Sequence, residues 1–167
     1  MTTNTTLRQR GAGIILTRLE NGMVRHLVLR GRGTGVWSFP KGHAECPDSG
    51  SPLRTAVRET YEETGYVCGR DYAIIGSKVR YGKRPYWLGI VVPEAANQLR
   101  LSWSEHDQAA WLTWEEIQGL GEATNTDIRC WLTKSRGNNS AWSYMMGHVE
   151  RITQGAATAS SEMLQMH

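Results

Sequence analysis

Cysteine is scarce in this chain of 167 residues, which holds Cys46, Cys68 and Cys130 alone. An odd number without the paired spacing of a metal knuckle argues against a disulfide framework and points to reduced thiols in a cytoplasmic compartment. No apolar run approaches the length of a membrane span, so no segment here is expected to cross a membrane as a helix. The opening MTTNTTLRQR lacks the apolar segment of a secretory signal. Internal repeats and domain linkers are absent too, which leaves one domain. No charge of one sign dominates. The net charge is +3 and the isoelectric point about 8.9. That mild excess suits an anionic partner such as a phosphate ester and does not demand nucleic acid.

What is present is enough for a packed core. Hydrophobic residues make up 40% and mean hydropathy is −0.46, the profile of a water-soluble domain. GAGIILTRL (Gly11 to Leu19) and VRHLVLRG (Val24 to Gly31) read as strands joined by a turn, followed by the glycine-rich loop GRGTGVW. Pro52 to Thr64 reads as a helix that Gly65 can end. YAIIGSKVRYG and RPYWLGIVV read as two more strands, and TWEEIQGL as a short helix. ATNTDIRCWLTKS reads as another helix with Thr124 or Asn125 as its cap, and a further one is expected over Ala141 to Ile152. SWSEHDQ reads as a loop. Residues 1–10 read as an extension, 11–152 as the domain and 153–167 as a loose tail. Strands alternating with helices predict a layered α/β or α+β domain.

The Pro52–Thr64 helix poses an electrostatic problem. Leu53, Ala56, Val57, Thr60, Tyr61 and Thr64 follow the spacing of a buried stripe. Glu59, Glu62 and Glu63 then fall on the other side, within roughly a 100° arc. Like charges one turn apart repel by a few tenths of a kcal/mol. Carboxylates near a helix C-terminus also face the unfavourable end of its dipole. A divalent cation reverses both penalties, and Mg²⁺, a hard ion, suits a few carboxylates completed by substrate phosphates. A solvated acidic face is the competing reading.

The surroundings decide between these readings. PKGH, followed sixteen residues after its glycine by RETYEETG, resembles the signature box of the Nudix hydrolases through Gly42, Arg58, Glu59, Glu62, Glu63 and Gly65. The resemblance implies an α/β/α sandwich around a mixed sheet and metal-assisted hydrolysis of a diphosphate linked to another group. It implies Glu59, Glu62, Glu63 and the Gly42 carbonyl as metal ligands, with Mg²⁺ as the ion and Mn²⁺ as the alternative. Arg58 and Glu62 join the catalytic set. The family's first glutamate corresponds to Asp48 counted forward and to Gly50 counted back, so ECPDSGSP carries two extra residues. Asp48 and Glu45 are rival partners for Arg58.

Beyond the box, YWL at Tyr86 to Leu88 and RLSWSEHDQAAWLTWEE resemble the diadenosine tetraphosphate hydrolase branch, with one extra residue between Ser102 and Glu105. WSFPKG also resembles the messenger-RNA decapping branch. By this likeness Glu105 reaches the site from the opposite rim, as an extra metal ligand or as the proton acceptor, with His106 and a box glutamate as rivals for the latter role. Lys41 and His43 are candidate phosphate contacts, as is Lys83 in a hairpin turn, against a plain surface reading. Tyr86 is either core or a face for stacking a nucleobase. The remaining tryptophans, including Trp103, Trp111, Trp114, Trp131 and Trp142, read as scattered core or rim residues.

The substrate implied is a small nucleotide, such as a dinucleoside polyphosphate, or a capped or triphosphorylated RNA 5′ end. A non-nucleotide diphosphate such as an inositol pyrophosphate is the alternative, and no large lysine cluster supports it. A non-catalytic binding module is the reading from another class. It would be expected to have lost box glutamates, and all three are present.

Overall fold

The structure is a computed structural model and describes residues 11–137 and residue 151. The helix expected over Ala141 to Ile152, apart from Arg151, lies outside the described residues, as do Trp142 and the segments 1–10 and 153–167.

The strands are β1 (Ala12–Glu20), β2 (Met23–Gly31), β3 (Trp37–Ser38), β4 (Lys41–Gly42), β5 (Tyr72–Tyr81), β6 (Arg84–Val91) and β7 (His106–Leu112). The helices are α1 (Pro52–Thr64), α2 (Trp114–Gly119) and α3 (Thr126–Gly137). The strands form one mixed seven-stranded sheet. β1 runs parallel to β6 and antiparallel to β2 and β4. Its first residues pair with β4 (Ala12 with Gly42, Gly13 with Lys41), whereas its last pair with β2. This division of one strand between two partners holds the PKG segment against the middle of the sheet.

Period-two alternation sorts the core into two layers. Ala12, Ile14 and Leu16 of β1 and Leu27 and Leu29 of β2 pack with Ala56 of α1 on one face. Ile15 and Val28, the residues between them, pack with Phe39, Ile117, Ile128 and Trp131 on the other, beneath α2 and α3. β1 is therefore buried on both faces, and the expected sandwich of helices around a mixed sheet is what forms. No helix among the described residues is long and apolar enough to cross a membrane.

The helix ends follow from local chemistry. Ser51 caps α1 by accepting from the Arg54 N–H at 3.3 Å, Pro52 opens it, and Gly65 closes it at φ 75°. Asn125, one of the two expected caps, accepts from the Ile128 N–H at 3.0 Å at the start of α3. Two expectations are corrected. SWSEHDQ is a turn only as far as Glu105, because β7 begins at His106 and pairs with β2. The buried face of α1 is Thr55, Ala56, Glu59, Thr60, Glu63 and Thr64, while Leu53 and Tyr61 are 38% and 56% exposed. The helix is thus turned by roughly 80° from the orientation its apolar spacing predicts. Two of its glutamates face the sheet instead of solvent.

Candidate active site

The rotation of α1 sets the site. Glu59 and Glu63 lie one turn apart on the inner face, buried beside the β4 segment. Glycine at position 42 leaves room for the Glu59 carboxylate, which a Cβ there would displace. A side chain at Gly11 would in turn overlap the Gly42 carbonyl. The Glu63 carboxylate accepts the Lys41 backbone N–H at 3.0 Å.

The opposite wall is docked onto the end of the same helix. The last carbonyls of a helix have no partner within it. Here the Arg100 N–H bonds the Thr64 carbonyl at 2.8 Å and the Ser102 N–H bonds the Glu63 carbonyl at 3.0 Å. The turn that follows therefore brings Glu105 and His106 to Glu63. The ligand atoms of Glu63, Glu105 and His106 all lie within 4.8 Å of one another. His106 Nε2 stands 3.7 Å from the Glu63 carboxylate.

The protonation equilibria show what this cluster lacks. Burial pushes the Glu59 carboxyl above its ordinary range; the Glu62 and Glu105 charges add to the shift, and Arg58 opposes it. Burial pushes Glu63 further up; Lys41 opposes that shift, and Glu59 and Glu105 reinforce it. Burial lowers the His106 imidazole, favouring its neutral form. Carboxylates gathered in a dry place without enough positive charge are the donor set that a hard divalent cation satisfies.

Arg58 organises the outer side. Its guanidinium makes a two-pronged contact with Asp48, Nε to Oδ1 at 2.9 Å and Nη2 to Oδ2 at 3.0 Å. Glu45 stands farther off at 3.7 Å, so the rivalry for Arg58 is decided for Asp48. Asp48 also accepts from the Thr55 hydroxyl and the Glu45 N–H, and these bonds, led by that to Arg58, hold its carboxyl far below the usual range. The other edge of Arg58 reaches Glu59 at 3.2 Å, Glu62 at 3.1 Å and the His43 carbonyl at 2.8 Å. Arg58 thereby ties the extended loop to the helix.

The remaining predicted residues divide. Glu62 is half-exposed and bonded to Arg58, outside the Glu63–Glu105–His106 group. Lys41 flanks the cluster through its backbone and its charge. The His43 side chain is exposed, and its carbonyl serves Arg58. Lys83 is exposed at the β5–β6 turn, where its carbonyl accepts from Arg80. Tyr86 requires correction as an open stacking face. It is 1% exposed, its ring packs edge-on against Phe39, and its hydroxyl donates to Asp127 at 2.6 Å. Asp127 also holds Arg84, so the aromatic ring belongs to a buried polar network linking β6 to α3.

Sequence reasoning missed Thr55, which supports Asp48, and Arg32, whose backbone and side chain bond Glu105 and Trp103. Nothing in the local pattern around either residue signals these long-range contacts.

The family model of the NUDIX domain matches residues 7–133. The chain belongs to the Nudix family. Among curated proteins, the bis(5′-nucleosyl)-tetraphosphatases (asymmetrical) of Sus scrofa and Mus musculus are each 33% identical over 117 residues, covering 65% of this Nudix chain and 77% of the relative. Among solved structures, a C. elegans Ap4A hydrolase binary complex matches with a TM-score of 0.56 at 23% identity, over 76% of this chain and 97% of that one. The NUDIX domain of Shewanella oneidensis NrtR, complexed with ADP ribose, matches at 0.54 and 13% identity, over 77% and 86%. At these identities the structural likeness bears on the fold.

Proposed function

We propose that this chain is a Mg²⁺-dependent Nudix hydrolase that cleaves dinucleoside polyphosphates unequally, releasing two different nucleotides. The supporting observation is the convergence of Glu63 from α1 with Glu105 and His106 from the far wall, with Glu59 buried one turn before Glu63 and both of these helix carboxyls raised in pKa. The curated relatives named for asymmetrical tetraphosphate cleavage favour the dinucleoside substrate. The mild net charge of +3 favours a small nucleotide over an RNA end.

In this reading Glu59, Glu62, Glu63 and the Gly42 carbonyl hold the metal, with Mn²⁺ as the alternative ion. When bound, the ion neutralises phosphate charge and acidifies water. The chain's own residues do the rest. Glu105 takes the proton of the attacking water, because it is exposed on a turn beside Glu63, where water reaches it. His106 is buried and held towards its neutral form, and orients that wall. The water oxygen forms a bond to phosphorus, the bridging P–O bond breaks, and its electrons leave with the departing nucleotide phosphate. Arg58, fixed by Asp48, keeps Glu62 beside the site. Lys41, His43 and Lys83 are the proposed phosphate contacts. Three free thiols suit residence in a reducing cytoplasm.

A release assay with Mg²⁺ over dinucleoside polyphosphates, capped RNA, nucleoside triphosphates, sugar nucleotides and inositol pyrophosphates tests the proposal. The highest kcat/KM is expected on a dinucleoside tetraphosphate. Turnover confined to any other class would contradict it.

A further inference from the structure

Burial of Tyr86 leaves the nucleotide site without its expected aromatic platform. The structure offers a different one. Trp103 is 63% exposed, the most exposed of the large hydrophobic side chains among the described residues. It stands in the turn that carries Glu105, two residues before it. It also lies in the segment where this chain has one residue more than the tetraphosphate-hydrolase pattern. Exposed Tyr61 cannot serve, because it points away from the carboxylates, roughly 160° around α1 from Glu63.

The backbone that presents Trp103 is held on two sides. Its carbonyl accepts from the Arg32 Nε at 2.6 Å. The Glu105 carbonyl accepts from the Arg32 N–H at 2.8 Å, which fastens the turn to the glycine-rich loop. The Ser102 N–H fastens it to the end of α1, and the Glu105 and His106 N–H groups close the turn on the Ser102 carbonyl. A large apolar ring left in water on a pinned turn gains nothing from the fold. It costs little entropy to use, because its backbone is already ordered.

We propose that Trp103 stacks on a base of the nucleotide substrate, with Arg32 holding its turn in place. The proposal rests on reading the carboxylate cluster as a nucleotide-cleaving site. Its chemistry fits a nucleoside polyphosphate: the phosphates lie toward Glu63 and Glu105, and the base lies against the indole face. Stacking tolerates any base and adds affinity at a distance from the bond that breaks.

Titration calorimetry with Mg²⁺ tests this on a methylene-bridged ATP analogue and on the same bridged triphosphate without its nucleoside. Trp103→Ala is expected to weaken the nucleotide analogue about 5- to 150-fold, the range typical of one base–aromatic stack. The nucleoside-free ligand should bind as before. Trp103→Phe should stay within about threefold of wild type, because it keeps a ring. Equal affinity in Trp103→Ala, equal weakening of both ligands, Phe as weak as Ala, or no binding of the analogue to wild type would each overturn the proposal. Failure of the substrate reading is separate. Wild type that cleaves no dinucleoside polyphosphate, yet weakens on Trp103→Ala, would keep the stack and lose that substrate.

Discussion

Asp48→Asn isolates the bond that anchors α1 to the loop before it. Asp48 is 2% exposed and its carboxylate accepts four hydrogen bonds, two of them from Arg58. Asparagine keeps the shape but offers one acceptor oxygen. Its amide would set N–H groups against the Arg58 guanidinium or the Thr55 hydroxyl, both donors in these bonds. Removing one partner of a buried pair typically costs about 3–5 kcal/mol. Arg58 keeps its contacts to Glu59 and Glu62, so the loss here should be nearer 2–4 kcal/mol. At about 2–4 °C per kcal/mol for a chain of this size, Tm should fall by roughly 5–15 °C. Glu45→Gln should move it by less than about 2 °C, because that pair is long and Glu45 exposed. Differential scanning calorimetry of the metal-free proteins gives both values. A negligible change for Asp48→Asn together with a large one for Glu45→Gln would refute the assignment of Asp48 as the partner of Arg58.

Glu63→Gln should raise the metal-free Tm at pH 8. A carboxyl whose pKa is raised to about 8 disfavours the fold as pH climbs above its unfolded value, and the amide removes that penalty. The same variant should lose the stabilisation that Mg²⁺ gives wild type, and an unchanged Mg²⁺-induced Tm shift would contradict the assigned ligand role. Glu105→Gln should lower kcat by about 10²–10⁴ while leaving Mg²⁺ affinity without substrate nearly unchanged. Wild-type kinetics there, with collapse in His106→Ala, would transfer the proton-accepting role to His106. Tyr86→Phe removes the hydroxyl bonded to Asp127, so stability should fall by about 1.5–3 kcal/mol with KM for nucleotides unaltered. A raised KM at constant stability would return Tyr86 to the substrate site. His26 is buried against Thr17 and Trp131 with its pKa lowered to about 3. The unfolded chain binds that proton first, so stability should drop by up to about 1.4 kcal/mol per unit as pH falls from 6.5 towards 3. His26→Gln should flatten this slope between pH 6.5 and 5, and an equally steep melting profile would refute that origin.

The parts of the fold readable in the sequence were those specified by local chemistry. Ser51, Pro52 and Gly65 mark both ends of α1, and the aliphatic runs on either side of the ENG turn mark β1 and β2. The short strands β3 and β4 exist only through their partners in β1 and β2, so no window of sequence contains them. HDQAAWL lacks clean alternation, yet it becomes a strand because β2 offers it a free edge. The orientation of α1 departs from its apolar spacing for a physical reason. Apolar spacing assigns charge to solvent, whereas Glu59 and Glu63 are held inside, facing a cluster that a cation would balance. The motif pointed to the chemistry, and periodicity, a rule about water, placed these side chains on the wrong face. Glu105 was brought to the site by likeness alone; the carbonyls at the end of α1 supply the physical cause.

The most direct measurement is product analysis of diadenosine tetraphosphate cleaved in ¹⁸O-labelled water with Mg²⁺, comparing wild type with Glu63→Gln and Glu105→Gln. Wild type should give one mononucleotide and one nucleoside triphosphate in equal amounts, with a single ¹⁸O on one product, and both variants should be slower by orders of magnitude. Two equal diphosphate products would contradict unequal cleavage, and products without ¹⁸O, or turnover that survives both substitutions, would contradict water attack directed by this carboxylate cluster.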